Sequence, residues 1–337
     1  MVMTSDIVTV VGGSGFVGRH VVRALAQRGF RVKVAVRRPD LAFHLQPLGN
    51  VGQIHAVQAN VRYPESLKNA MEGSVAVVNL VGILAPTGRQ TFETVQAQGA
   101  QTVAEVATQL GVSRLVHVSA IGADRDSASL YARTKAQGED SVRQAFPSAT
   151  ILRPSVVFGP EDQFFNRFAA LARMMPVLPL PGGGTTRLQP VFVGDVAEVV
   201  ARGVEGSVQA QTQAQTQIYE LGGPEAKTLR EIVQYICDYT GRKRLIAPLP
   251  WPLARLQAGM MEIMDKITLG LLPDDLMITR DQVTLLQSDN VVSQSAMDEG
   301  RTLIGLGITP TAFEAVVPSY LWRFRKTGQF ETTSQPS

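Results

Sequence analysis

The apolar run Ile7 to Val11 leads directly into Gly12-Gly13-Ser14-Gly15-Phe16-Val17-Gly18 and then into an amphipathic segment. That order reads as strand, glycine-rich turn, helix. Gly12, Gly15 and Gly18 have separate tasks in such a unit: the tight turn, close approach of backbone to a pyrophosphate, and packing of the helix on the strand. The helix N-terminus then offers unpaired amides and the positive end of its dipole to phosphate. Glycines also make plain turns, so the reading rests on the strand before them and the helix after.

Downstream, strand-like runs alternate with helical ones: Arg31 to Val36, Ile54 to Gln58, Val75 to Leu80, Arg114 to Val118 and Ala149 to Leu152, with amphipathic stretches at Thr91 to Leu110 and Ser129 to Phe146. This alternation predicts an α/β fold, a doubly wound parallel sheet covered by helices, with ligands at the carboxyl ends of the strands. We assign residues 1–153 to this dinucleotide-binding domain. After Pro154 the chain is broken by Pro176, Pro179, Pro181 and Gly182-Gly183-Gly184, which predicts a smaller, irregular C-terminal lobe over 154–328 with segments returning to the sheet. Helices are expected at Gly194 to Val204 and Thr228 to Tyr239, both packing back on the sheet edge. The Gln-rich tract Val208 to Gln217 reads as a solvated surface loop, and 329–337 as a disordered tail.

Bulk properties exclude several classes. A net charge of +3 over 337 residues, with scattered basic side chains, gives no footprint for nucleic acid. One cysteine, Cys237, excludes an internal disulfide framework, and four histidines without ligand spacing give no metal site. Cys237 reads as a small packing residue. Met1 to Asp6 lacks a charged and apolar leader, and no apolar run approaches the ~20 residues that span a bilayer. A soluble chain is expected, with contact to a membrane surface left open. Leu253, Leu256, Met260, Ile263, Met264, Ile267 and Leu271 recur at helical spacing. They form either the cover of the second lobe's core or a Met-rich docking face for a partner or membrane. The cations Arg242-Lys243-Arg244, Arg323, Arg325 and Lys326 are either solvated charge or contacts to acidic lipid or protein.

Five groups of residues point to chemistry. Tyr131 and Lys135 lie four apart on one helical face, where the ammonium favours the phenolate. Ser119 ends the fifth strand, placed to hold a carbonyl or hydroxyl beside Tyr131 or simply to form the turn. Arg37 and Arg38 end the second strand, where an NAD-selective site would place an acid, so NADPH is favoured over NADH. Asn60 and Val61 follow the third strand, Asn60 either meeting the adenine edge or capping the turn before Pro64. Asn79, Val81 and Gly82 follow the fourth, set to line pyrophosphate and ribose, with core packing the alternative for Val81.

With the glycine pattern, Ser119 and Tyr131-x-x-x-Lys135 in this order, the chain resembles the short-chain dehydrogenase/reductase superfamily, extended or atypical branch. Arg153-Pro154-Ser155-Val156-Val157-Phe158-Gly159-Pro160 and Val191-Phe192-Val193-Gly194-Asp195 look like later landmarks of that superfamily. The resemblance implies a Rossmann fold, Pro154 and Ser155 flanking the nicotinamide end, and Tyr131 with Lys135 as catalytic pair. A narrower likeness lies in Phe158 to Phe168, Gln189 to Val193 and Ile278 to Val283. These are similar to the short-chain-dehydrogenase-like accessory subunit of respiratory complex I and its bacterial relatives, and the likeness covers roughly residues 6 to 325. It implies tightly held, structural NADPH, partner subunits of complex I near the quinone site, peripheral contact with membrane lipid, and a cytoplasmic or matrix-side location on the inner face of the energy-transducing membrane. Two positions depart from the pattern: Gln96 stands where extended members carry the Asn of a proton-relay tetrad, and Asn60 where many carry Asp. Gln96 is expected to weaken turnover without touching cofactor binding. The functional expectation is thus an NADPH-holding accessory, structural or assembly subunit, with an active NAD(P)H-dependent oxidoreductase on a quinone precursor or isoprenoid-like substrate, or a non-catalytic NADPH-sensing regulator, as alternatives.

Overall fold

The computed structural model describes residues 6–208, 216–267, 278–326 and 328. The Gln-rich tract between Val208 and Gln217, the tail and Leu271 therefore fall largely or wholly outside the described residues. By contact density the chain forms two units. One runs through Ser155 and takes in Val193–Gly222 and Val292–Pro310. The other comprises Val156–Phe192, Gly223–Val291 and the chain from Thr311 onward.

The first unit is built on β1 (Ile7–Val11), β2 (Arg31–Val36), β3 (Ile54–Gln58), β4 (Ser74–Asn79), β5 (Arg114–Val118), β6 (Thr150–Pro154) and, much later, a strand at Gln217–Leu221. They form one seven-stranded sheet, spatial order β3-β2-β1-β4-β5-β6 and then Gln217–Leu221, every pairing parallel. Val, Ile and Ala dominate these strands because both faces are covered, so they read as apolar runs rather than as alternating ones. The connections are α1 (Phe16–Gln27), α2 (Pro64–Met71), α3 (Gln98–Gln109) and α4 (Leu130–Ala145). The doubly wound Rossmann architecture is thus as expected, and strand order reverses between β1 and β4, the position where such sheets bind ligands. On one face Val77, Val103, Ala107, Leu115, Val142 and Ile151 are fully buried together. A helix at Val193–Glu205 returns to this unit: a Cβ at Gly203 would stand 2.9 Å from Val116 of β5, and Arg28 of the α1 turn pairs with Glu198 at 2.7 Å.

The second unit contains short paired strands, among them Val177–Pro181 beside Leu245–Leu249 in parallel, and the helices Phe165–Met174, Leu229–Tyr239 and Trp251–Ile267. Its core is aromatic, with Phe158, Phe165 and Phe313 in contact. The helix Leu229–Tyr239 was expected against the sheet edge. It instead buries Ile232, Val233, Ile236 and Cys237 in this aromatic cluster. Its Thr228 capping box fixes where it starts but not which surface it meets.

The apolar stripe on Trp251–Ile267 is not core. Leu253, Leu256, Met260, Ile263 and Met264 are each more than half exposed. The helix turns its small residues inward: Ala254 and Ala258 are buried with Val283, and a Cβ at Gly259 would collide with Arg280. Close approach to the helix Arg280–Leu285 decided the orientation, against the ranking by side-chain size. Among the described residues no helix is long and apolar enough to cross a membrane.

Candidate functional site: a dinucleotide cradle at the strand ends

Gly12 leaves β1 with φ +82°, and its N–H donates to Ala35 O of β2 at 3.0 Å, so the chain folds sharply over the sheet edge. Gly18 packs α1 on that turn: a Cβ there would lie 2.5 Å from the Gly13 carbonyl. Gly15 is different. Its φ is −74°, open to any residue, and the only atom near its absent Cβ is Gly12 O at 3.6 Å. Among the described residues nothing demands glycine at that position, so the space beside it is open to a ligand. Gly15 is also the N-cap of α1, and no side chain caps this helix, whereas Ser129 caps α4 and Thr228 caps Leu229–Tyr239. The first-turn amides of α1 thus have no side-chain cap and begin beside exposed Gly15, an arrangement suited to phosphate. Ser14, Phe16 and Val17 are half-buried around them.

Two strands over, Arg37 and Arg38 are exposed immediately after β2. Arg38 forks onto Asp40, Nη2 to Oδ2 at 2.7 Å and Nε to Oδ1 at 3.0 Å. The carboxylate that follows β2 is therefore neutralised by Arg38, which in turn holds Asp40 below the usual carboxylate range. Asn60, after β3, accepts from the Arg62 N–H through Oδ1 at 3.1 Å, so its carbonyl shapes the turn; Val61 is buried against α3, where a Cβ on Gly99 would meet its side chain at 2.9 Å.

Across the switch point, the loop after β4 is held from three sides. Asn79 Oδ1 accepts from Val81 N–H at 3.1 Å, which leaves Asn79 Nδ2 to donate to His117 Nδ1, also at 3.1 Å. The buried His117 ring is neutral, its pKa pushed down to about 3 by burial and then by nearby Lys135, and carries its proton on Nε2, which meets no partner among the described residues. Asn79 therefore shapes the loop with a side chain already engaged by the protein. Gly82 lies against Lys135: a Cβ there would stand 3.4 Å from Nζ. Lys135, nearly fully buried, donates to Val118 O at 3.3 Å, and burial lowers its pKa to about 8, with Glu139 acting in the opposite sense. Its Nζ lies 5.9 Å from the centroid of the Tyr131 ring, one turn earlier on α4, and Phe92 packs edge-on against that ring. Ser119, next along from Val118, is buried, and its Oγ meets no hydrogen-bond partner among the described residues. Pro154 and Ser155 are buried where β6 ends.

Gln96 sits in a π turn, Glu93–Ala97, that runs into α3. Its Nε2 donates to Ile83 O at 2.8 Å and its Oε1 accepts from Thr134 Oγ1 at 3.0 Å. Its backbone carbonyl lies so close to α4 that a Cβ on Gly138 would come within 2.5 Å of it. The side chain is thus a bridge between the loop after β4 and the residue preceding Lys135, not an open group awaiting a proton. Sequence reasoning missed this partner Thr134, and it missed His117. It also missed the fork of Arg153 onto buried Glu139, at 2.7 and 2.9 Å, one turn beyond Lys135. A histidine inside an apolar strand and a glutamate four residues past the lysine were the available signals.

The open space at Gly15, the uncapped helix, the cations after β2 and the buried, unpaired Ser119 hydroxyl together fit a dinucleotide lying across the strand ends. Residues 12–163 match a family model described as NAD(P)H-binding. An NADPH-dependent quinone oxidoreductase from Escherichia coli, solved with NADPH, has the same fold, with a TM-score of 0.67 over 94% of this chain and 99% of that one at 18% identity. The ceramide reductase of Caulobacter vibrioides is 36% identical over 191 residues, covering 57% of this chain and 58% of that protein. The mitochondrial NADH dehydrogenase (ubiquinone) 1 alpha subcomplex subunit 9 of Arabidopsis thaliana is 33% identical over 326 residues, covering 96% of this chain and 79% of that protein. The chain accordingly belongs to the family of the subunit 9 proteins of the NADH dehydrogenase 1 alpha subcomplex, short-chain-dehydrogenase-like proteins built on an NAD(P)H-binding domain.

Proposed function

We propose that this protein holds NADP(H) as a resident cofactor and serves as an accessory subunit of a complex I-type NADH dehydrogenase, docked beside the quinone site at the inner face of the membrane. The observation that carries this reading is a cradle built for a dinucleotide next to a Gln96 whose two side-chain polar atoms are spent on Ile83 and Thr134. The uncapped, glycine-lined turn supports binding, and the two engaged polar atoms of Gln96 support a holding role over a relay. The subunit 9 relatives support the assembly.

In this reading the first-turn amides of α1 hold the pyrophosphate, with Gly15 admitting it. Arg37 and Arg38 meet the 2′-phosphate, Arg38 exchanging its exposed pairing with Asp40 for a more highly charged partner. Lys135 presents an ammonium at the strand ends, and with a pKa near 8 it carries its charge at neutral pH. NADPH bound there brings a hydride donor at its nicotinamide. The test is native mass spectrometry of the purified protein, expected to report NADP(H) rather than NAD(H), with complex I subunits in the same preparation.

A second reading, an active NADPH-dependent reductase, is favoured by one observation: Ser119 has a buried hydroxyl without a partner among the described residues, and it directly follows Val118, whose carbonyl accepts from Lys135. The ceramide reductase relative supports it. Under this reading Tyr131→Phe abolishes turnover of a carbonyl substrate and leaves the NADPH dissociation constant unchanged. Equal turnover by the variant would sink it.

A further inference from the structure

The second unit carries a corner where cations and large apolar side chains stand side by side. Phe324 is its centre. Arg173 and Arg323 lie over the Phe324 ring, at 5.6 and 5.3 Å from its centroid, and Arg242 donates to the Phe324 carbonyl at 3.1 Å. Arg244 donates to Ala172 O, next to Arg173, at 2.6 Å. Among the described residues none of these four guanidinium groups is paired with a carboxylate. Burial, and then the cationic neighbours Arg244 and Arg173, hold Arg242 below the ordinary guanidinium value. Exposed Lys243 and Lys326 flank them. Arg28, by contrast, is matched with Glu198 and Glu205.

Apolar side chains share the same ground. Met174 and Met175 follow Arg173 directly, and Leu245 follows Arg244. Leu245 pairs with Val177 across the two parallel strands, and its N–H donates to Pro176 O at 3.2 Å, so these residues are neighbours in space. Leu245 is 66% exposed and Met174 55%. Trp322, one residue before Arg323, is also exposed.

Uncompensated cations repel one another and call for an anionic surface. Exposed apolar groups set among them call for one with hydrocarbon immediately behind its charges. Nucleic acid offers the first property and not the second. An acidic protein face is the competing occupant, and the test below separates it from a bilayer by reading vesicle binding and complex I association on the same variants. An anionic bilayer supplies both, headgroup phosphates for the guanidinium groups and interfacial hydrocarbon for the methionines, Leu245 and Trp322. We propose that Arg173, Met174, Val177, Arg242, Leu245 and Arg323 form a docking surface for an anionic lipid bilayer. This rests on the reading of the chain as a subunit working at a membrane surface, and names the part of it that touches lipid.

The test is sedimentation of the purified full chain with vesicles of phosphatidylcholine alone or with added phosphatidylglycerol. Binding is expected only to the anionic vesicles, and is expected to disappear near 1 M salt, where the screening length falls to about 3 Å. Neutralising exposed cations by Lys243→Gln with Arg323→Gln should weaken binding about fivefold per charge, Arg323→Lys should restore its share, and Leu245→Asn should weaken it without altering the salt dependence. Lys243 and Lys326 are exposed, so Lys243→Gln with Lys326→Gln serves as a second variant least able to disturb folding, and it too should weaken binding to the anionic vesicles. Equal binding to both vesicle types, no binding to either, or loss of association with isolated complex I subunits in the charge variants while vesicle binding is unchanged, would each overturn the proposal. Nucleotide retention and co-purification with complex I are read on the same samples, so failure of lipid docking leaves a different signature from failure of the accessory-subunit reading.

Discussion

At the scale of single residues, the glycines of the opening turn separate structural from ligand-directed constraint. Gly18 has no room for a Cβ, since the Gly13 carbonyl would lie 2.5 Å away, whereas Gly15 has room and an ordinary φ. Gly18→Ala should therefore cost stability, about 1–3 kcal/mol as an overpacking change, in urea unfolding of the nucleotide-free protein. Gly15→Ala should leave that unfolding curve unchanged and weaken NADPH binding at least tenfold. A Gly15→Ala protein that binds NADPH normally would remove the argument that this glycine exists for the ligand. The three-glycine pattern was legible in the sequence, and so were the turn at Gly12 and the helix packing at Gly18. Which glycine answered to which neighbour required the packed turn. Asn60 illustrates the opposite case. Two roles were open from sequence, adenine recognition and turn capping, and its Oδ1 is found on the Arg62 N–H.

At the scale of elements, the strands were readable because a parallel sheet buried on both faces needs apolar runs, and the glycine turn and YxxxK helix place themselves relative to those runs. The π turn at Glu93–Ala97 was not readable. Its single inserted residue leaves the apolar periodicity of Thr91 to Leu110 nearly intact, yet it moves Gln96 to where it reaches both Ile83 and Thr134. This bridge predicts coupling between the loop after β4 and α4. Gln96→Leu and Thr134→Val should each speed NADPH release, and the double variant should lose less than the sum of the two, because the Thr134–Gln96 bond is shared. Strict additivity in dissociation rates would contradict the bridge. The helix Trp251–Ile267 was the other element that sequence could not orient. Its large apolar residues and its alanines both recur at helical spacing, and the contact with Arg280–Leu285 selected the alanine face.

At the scale of the whole molecule, the first crossover into the second unit, after Ser155, coincides with the change in composition at Pro154. The returns at Val193–Gly222 and Val292–Pro310 carry no such mark, because they are fixed by contacts between residues far apart in sequence. Glu220 of the last sheet strand accepts from the Ser293 N–H at 2.7 Å, and Arg301 donates to Ile218 O at 2.7 Å. Such pairings have no local signature. The functional reading depends on the first unit as a whole, a cradle that binds beside a relay position turned into a strap. Native mass spectrometry of the protein, purified from its own membranes under gentle conditions, tests this most directly. The account predicts a mass shift corresponding to NADP(H), retained through gel filtration, with complex I subunits co-migrating; a chain that carries no nucleotide, or only NAD(H), and runs apart from complex I would contradict it.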